Sequence, residues 1–371
     1  MSIPISDWRI PLTLAAILSC WAPWRSPSAE AASLPCDVFD DVQGLCRCTL
    51  QEKTPTNDSH NQVWVTCVNL TSLEHLSLVL SPMRGRRIDK FQLGLSRVGY
   101  VPSNLFLDIA VQELQFWDSP LSTFVLGDER AFLGLESTLR WLSMRRCRLN
   151  SSLPFQRMGH LHALETLDLS FNELTVIRES WFRNSLNGLR SLLLRGNRIE
   201  LVESRAFAGL LRLYQLDLAQ NNLKHLKRSM FPSGLFFLDL SDNRLSFLTP
   251  GLLDGMTNLR RVYLNGNRVT TMAQDVWAAI WSNPKLGVEI LGNPLVCDCS
   301  LQWIVMLFPR RCFSQDCQRA VPEYRQLDGR CNSPPSVAGL HLSQMTCDSL
   351  PCDTPCPKLE PNDVPLLPDA A

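Results

Sequence analysis

The sequence lacks an excess of either charge: 36 Lys and Arg stand against 36 Asp and Glu in 371 residues. That balance gives no ground for expecting nucleic acid or a charged membrane surface as partner. Also missing are a P-loop, a G-x-S-x-G elbow, an H-E-x-x-H pair and a Gly-rich dinucleotide turn, so neither an enzyme activity nor a cofactor is expected. His160 and His162 are two apart with no obvious third ligand and read as a solvated pair rather than a metal site. Beyond the N-terminus no apolar run reaches the roughly 20 residues of a spanning helix, and the C-terminus lacks the hydrophobic tail of a glycolipid anchor signal. The mature chain is therefore expected to be soluble, without a membrane span.

What the sequence does have begins with 45% hydrophobic and 19% charged residues, enough apolar material for a folded core and too much for a chain disordered over most of its length. It also has 14 Cys clustered towards its two ends, which fits an oxidising compartment. Arg9 precedes the apolar residues 10–21 (IPLTLAAILSCW), and Ala29, Glu30 and Ala31 supply an A-x-A cleavage site. Residues 1–31 read as a secretory signal, and the product as secreted into the extracellular space or matrix. Asn57, Asn69 and Asn150 open N-x-S/T sequons and are expected to carry glycan if exposed.

Between residues 88 and 295 the spacing L-x-x-L-x-L-x-x-N-x-L recurs, most clearly in 164–174 (LETLDLSFNEL), 189–199 (LRSLLLRGNRI) and 213–223 (LYQLDLAQNNL). Weaker copies begin at Ile88, Val111, Leu139, Leu235, Leu259 and Lys285. The L-x-L centre of each copy predicts a short strand whose alternate residues point inward, such as Leu167 and Leu169, Leu216 and Leu218, Leu238 and Leu240. No single copy can bury its own apolar face, so the copies must stack. Phe132, Phe182, Phe207 and Phe231 in the return segments read as a packing spine on the convex side. The N position holds Ser96, Ser119, Cys147, Asn172, Asn197, Asn221, Asn243, Asn267 and Asn293. Each polar side chain there can satisfy backbone groups at the turn out of the strand, with Ser and Cys weaker substitutes. Cys147 reads as a buried free thiol.

This period resembles the leucine-rich repeat. The resemblance implies an α/β solenoid: a horseshoe with a parallel sheet on its concave side and disulfide-bonded caps. The expected organisation is a signal peptide (1–31), an N-terminal cysteine-rich cap with the first strand (32–87), the repeats (88–292), a C-terminal cysteine-rich cap (293–347) and a Pro-rich acidic tail (348–371). Cys36, Cys46, Cys48 and Cys67 resemble the N-terminal cap of extracellular members, which implies Cys36 with Cys48 and Cys46 with Cys67. Asn293-Pro294-Leu295-Val296-Cys297-Asp298-Cys299-Ser300-Leu301-Gln302-Trp303 is similar to the opening of the C-terminal cap in Slit, Toll and Nogo-receptor-like proteins. With Cys331 and Cys347 completing that cap, the resemblance implies Cys297 with Cys331 and Cys299 with Cys347. Cys312, Cys317, Cys352 and Cys356 fall outside the family pattern, and pairing within each couple or between tail and cap both remain open. The 24 residues after Cys347 hold six Pro and five acidic against one basic side chain, and read as an extended tail.

The outward positions of the strands are Gln92, Gln115, Ser143, Asp168, Leu193, Asp217, Asp239, Tyr263 and Glu289, flanked by Trp117, Trp141, Arg145, Arg195, Phe237 and Arg261. Aromatic rings with Arg and carboxylates on a rigid surface suit a protein-binding face. The expected function is recognition of an extracellular protein ligand or cell-surface receptor, in adhesion, guidance, matrix or immune recognition. The ectodomain of a transmembrane receptor and a structural matrix protein are the alternatives. The sequence leaves the ligand and the oligomeric state open.

Overall fold

The computed structural model describes Cys36, residues 44–51, residues 62–307 apart from 126, 128, 184, 278–282 and 284, and residues 327–352. The signal segment, Asn57, Cys312, Cys317, Cys356 and the tail beyond Cys352 lie outside the described residues. All described residues belong to one compact unit, 35–371.

Its backbone is a twelve-stranded sheet. The first two strands, Cys46–Gln51 and Gln62–Val68, form an antiparallel hairpin, and every later strand joins in parallel, ending with Leu327–Asp328 of the C-terminal cap. The parallel series starts one strand before the first recognised copy, because Trp64 to Val68 pair with Lys90 to Gly94. Register follows the repeat throughout: Leu167, Leu192, Leu216, Leu238, Val262 and Val288 face one another in successive strands. Each of these six residues is buried to 1% exposure or less. Stacking is what buries them, and each is worth about 1.5 to 3 kcal/mol before conformational entropy is subtracted.

The convex side is packed by rings. Phe182, Phe207 and Phe231 stack in sequence at 6.1 and 6.2 Å between centroids. Phe124, Phe155 and Trp181 extend that line through the earlier repeats, with Phe124 stacked on Phe132 at 6.5 Å and Phe155 against Trp181 at 4.2 Å.

The Asn ladder closes the turns. The Asn221 amide donates to the carbonyls of Leu194, Leu218 and Ala219, while its Oδ1 accepts the Ile199 N–H at 3.0 Å. Asn197, Asn243, Asn267 and Asn293 repeat this pattern. Ser96 and Ser119 do less, each accepting one N–H and donating back to its own strand. Cys147 is a free, buried thiol that donates to the Arg145 carbonyl at 3.3 Å. The N–H that an Asn would have to satisfy there, that of Leu121, is already taken by the Cys147 carbonyl at 2.9 Å. Burial pushes the thiol up to about 12 from the usual 9.0.

Both ends are capped by disulfides. Cys36 is bonded to Cys48, Cys46 to Cys67 and Cys297 to Cys331, the pairs that the resemblance implies. The fourth differs: Cys299 is bonded to Cys352, not to Cys347. The short helical turn Cys347–Ser349 carries the chain onward, so that Cys352 arrives at a Cα separation of 5.4 Å from Cys299, with the Pro351 carbonyl against the sulfur. Cys347 is itself disulfide-bonded. The cap is fixed to the last repeat by Trp303, whose indole N–H donates to the Met272 carbonyl at 2.8 Å. Among the described residues no helix is long and apolar enough to cross a membrane.

Candidate functional site

Alternation along each strand sends every second side chain to the outer face of the sheet, and the parallel register lines those side chains into columns. In the central column Gln92 donates to Gln115 at 2.9 Å and accepts from Thr66 at 3.1 Å, an uncharged chain across the first repeats. Carboxylates follow. Asp168, Asp217 and Asp239 each turn one oxygen to the N–H two residues on, at 2.9 Å, which fixes the side chain. Their second oxygens face Arg. Arg145 lies 3.6 Å from Asp168, and Arg195 spans Asp217 at 4.0 Å and Asp239 at 3.7 Å. Burial raises the Asp217 pKa from its ordinary value, the neighbouring Asp239 adds to this, and the Ala219 N–H and Arg195 oppose it.

Phe237 and Tyr263 close that group from the next strands, with ring centroids 5.1 Å apart. Burial, then Glu289, raises the Tyr263 hydroxyl, and Arg261 opposes the rise. Arg261 itself lies over Gly287, where a Cβ would stand 2.4 Å from its guanidinium. Arg195, Asp217, Phe237, Asp239, Arg261 and Tyr263 thus make one continuous surface, with Trp141, Arg145 and Asp168 beside it. Trp141 is 40% exposed.

Trp117 behaves differently from its sequence expectation. Its indole lies over Gly94, so close that a Cβ there would meet the ring at 2.0 Å. The ring is half-buried against the neighbouring strand and covers it. The histidine reading also changes: His162 is exposed, but His160 is buried, with its Nε2 3.8 Å from a carboxylate oxygen of Glu136. Burial lowers the His160 pKa from the usual value. Asn69 and Asn150 are exposed. Among the described residues no group of three or more His, Cys, Asp or Glu is arranged to hold a metal ion.

A second column, which the repeat pattern did not single out, lies one residue before the flanking positions of the concave face. Arg190, Tyr214, Phe236 and Arg260 follow the first Leu of successive copies; the N–H groups of Tyr214, Phe236 and Arg260 each donate to the carbonyl of the preceding member at 2.8 or 2.9 Å, and that of Arg190 to the Glu165 carbonyl at 2.8 Å. The readable signal was the residue after that first Leu, which is aromatic or Arg in these four copies.

The leucine-rich repeat family profile matches residues 162–223 and 211–269. The P-granule-associated novel protein 1 of Caenorhabditis elegans is 31% identical over 145 residues, 37% of this chain and 24% of that protein. The leucine-rich repeat transmembrane protein FLRT2 of Rattus norvegicus is 23% identical over 254 residues, 68% of this chain and 36% of that protein. The chain therefore spans about a quarter and about a third of the length of these two relatives. Among solved structures, a chain of the octameric complex of Latrophilin 3, Unc5D and FLRT2 superposes with a TM-score of 0.59 and 17% identity, over 84% of this chain and 99% of that one. That likeness is one of fold.

Proposed function

We propose that this extracellular-type leucine-rich repeat protein is a secreted binding protein that holds a protein ligand on its concave face. The observation that carries the reading is the exposed Trp141 beside the Arg145–Asp168 and Arg195–Asp217–Asp239 groups, aromatic anchor and fixed charges on one rigid sheet. Side chains already fixed by hydrogen bonds and ion pairs on a rigid sheet support action by stoichiometric contact. A similar fold occurs in the complex of FLRT2 with Latrophilin 3 and Unc5D, which makes cell-surface ectodomains the partner class to search first. The proposed organisation is a signal at 1–31, caps at 32–87 and from 293, repeats between them, and a tail that starts after Cys352 and not at 348, because Cys352 is bonded into the cap.

The test is a screen of the purified secreted protein against a library of cell-surface ectodomains, followed by substitution. Trp141→Ala is expected to weaken a confirmed partner by roughly 30-fold, about 2 kcal/mol, whereas Arg205→Ala on the convex side leaves it unchanged. A Trp141→Ala variant of unchanged melting temperature that binds every partner at wild-type strength would overturn the reading. A second reading, the ectodomain portion of a longer receptor, is favoured by the fraction of the transmembrane relative that the chain spans. Detection of a longer product that continues into a spanning helix would select it.

A further inference from the structure

The edge that carries Arg190, Tyr214, Phe236 and Arg260 changes character along the solenoid. In the early repeats the basic residues at this edge are neutralised: Arg87 by Asp89, Lys90 by Glu113, Arg140 by Glu165. From Arg190 onward the pattern ends. Residues 186–191, 210–215, 232–237 and 256–261 contain Arg190, Arg212, Arg260 and Arg261 and no Asp or Glu. The exposed Lys285 continues the series in the next repeat. Among the described residues Arg190, Arg212 and Lys285 have no carboxylate within ion-pairing distance.

The same edge exposes apolar surface. Tyr214 is 49% exposed and stacks on Phe236 at 4.5 Å between centroids, and the Arg260 guanidinium lies over the Phe236 ring at 5.7 Å. Leu211, one residue from Arg212, is 79% exposed. An open depression of about 500 Å³ is lined by Arg190, Ser191, Arg212, Tyr214 and Gln215. An exposed Tyr ring, a half-buried Phe and an exposed Leu among these cations are costly on a monomer that uses none of them.

We propose that this edge of the later repeats is a second docking surface, which takes an acidic protein segment with aromatic or apolar side chains between its carboxylates. The cations supply charge complementarity, and the stacked rings with Leu211 supply the apolar anchor. A uniform polyanion fits less well. Two residues beyond Gln215 stands Asp217, with Asp239 in the adjoining strand and Asp168 two strands away on the other side, so anionic charge running on across the sheet meets repulsion. A mixed segment places its carboxylates on Arg190 and Arg212 and its apolar side chains on Tyr214 and Leu211. This surface is independent of Trp141.

The experiment uses the full secreted protein and three probes: a random copolymer of glutamate and tyrosine, poly-L-glutamate, and heparin. The wild type is expected to bind the copolymer more tightly than poly-L-glutamate, with affinity falling as salt rises. Arg190→Glu with Arg212→Glu should weaken copolymer binding by roughly tenfold or more at low salt, because like charges then face each other. Arg244→Glu with Arg268→Glu, at the opposite edge of the sheet, should leave binding unchanged, as should Trp141→Ala. Tyr214→Ser should abolish the preference for the copolymer over poly-L-glutamate. An equal loss in the Arg244/Arg268 variant, no copolymer binding by the wild type, or heparin bound more tightly with Tyr214→Ser without effect would overturn the proposal. The last result would mark a site for sulfated polyanions.

Discussion

The strands Arg87–Gly94 and Ala110–Trp117 are eight residues long, whereas Thr166–Asp168, Ser191–Leu193 and Gln215–Asp217 have three residues each. The early repeats pair along an extended backbone ladder and close their turns with Ser. The later ones pair briefly and close their turns with Asn, whose side chain makes three donations and accepts one N–H. Backbone groups must be satisfied in either case, so a richer side chain at one position substitutes for several residues of strand. The surfaces differ in parallel. The early concave face carries amides and an edge of paired charges, and the later one carries carboxylates held by Arg beside an edge of unpaired cations.

The largest difference between early and later repeats is expected at the ladder. Asn221→Ala leaves one N–H and up to three carbonyls short of a partner inside the turn, and is expected to cost about 3 kcal/mol or more in chemical denaturation. Ser119→Ala removes one accepted and one donated bond and should cost about half as much; equal losses would mean that the two ladder chemistries carry the same load. Next in size is Gly94→Ala. The added methyl must displace the Trp117 indole, so a loss of about 2 kcal/mol is expected together with a red-shifted tryptophan emission. Unchanged stability and emission would show that the ring does not rest on that strand.

A smaller effect concerns Cys147. Its thiol keeps its proton in the folded state up to about 12, while the unfolded chain releases it near 9.0. The unfolded state therefore binds fewer protons between those values, and stability falls as pH rises through that window, by about 1 kcal/mol per pH unit. Cys147→Ala should lack this part of the alkaline decline when its unfolding is compared with the wild type from pH 8 to 11. The smallest effect sharpens the ladder itself. Cys147→Asn completes the pattern in sequence but is expected to lower the melting temperature by only a few degrees, because the Leu121 N–H it would serve is already bonded to the Cys147 carbonyl. A gain in melting temperature would mean that this turn does call for Asn.

The period of the repeat was legible in the sequence because each copy exposes its apolar face until a neighbour covers it, so the same inward Leu must recur at the same spacing. Inward and outward positions followed from strand alternation, and the polar ladder from the turn that every copy makes. These are local requirements, repeated, and a repeated local requirement leaves a readable trace. The N-terminal disulfide pairs are those that the resemblance to extracellular leucine-rich repeat caps implies.

What the tertiary structure decided depends on distances between chain segments far apart in sequence. Cys299 meets Cys352 and not Cys347 because a turn at Cys347–Ser349 redirects the chain, and spacing alone does not encode direction. Trp117 occupies an outward position by alternation, yet the missing Cβ of Gly94 in the neighbouring strand gives its ring a place to lie. His160 is buried because the loop that holds it packs against the preceding repeat, a contact that its sequence neighbours do not specify. The unpaired cations at the later edge follow the same logic. Arg140 and Arg190 occupy equivalent positions in sequence, and only the side chains stacked beside them determine that Arg140 is neutralised by Glu165 while Arg190 has no carboxylate partner among the described residues.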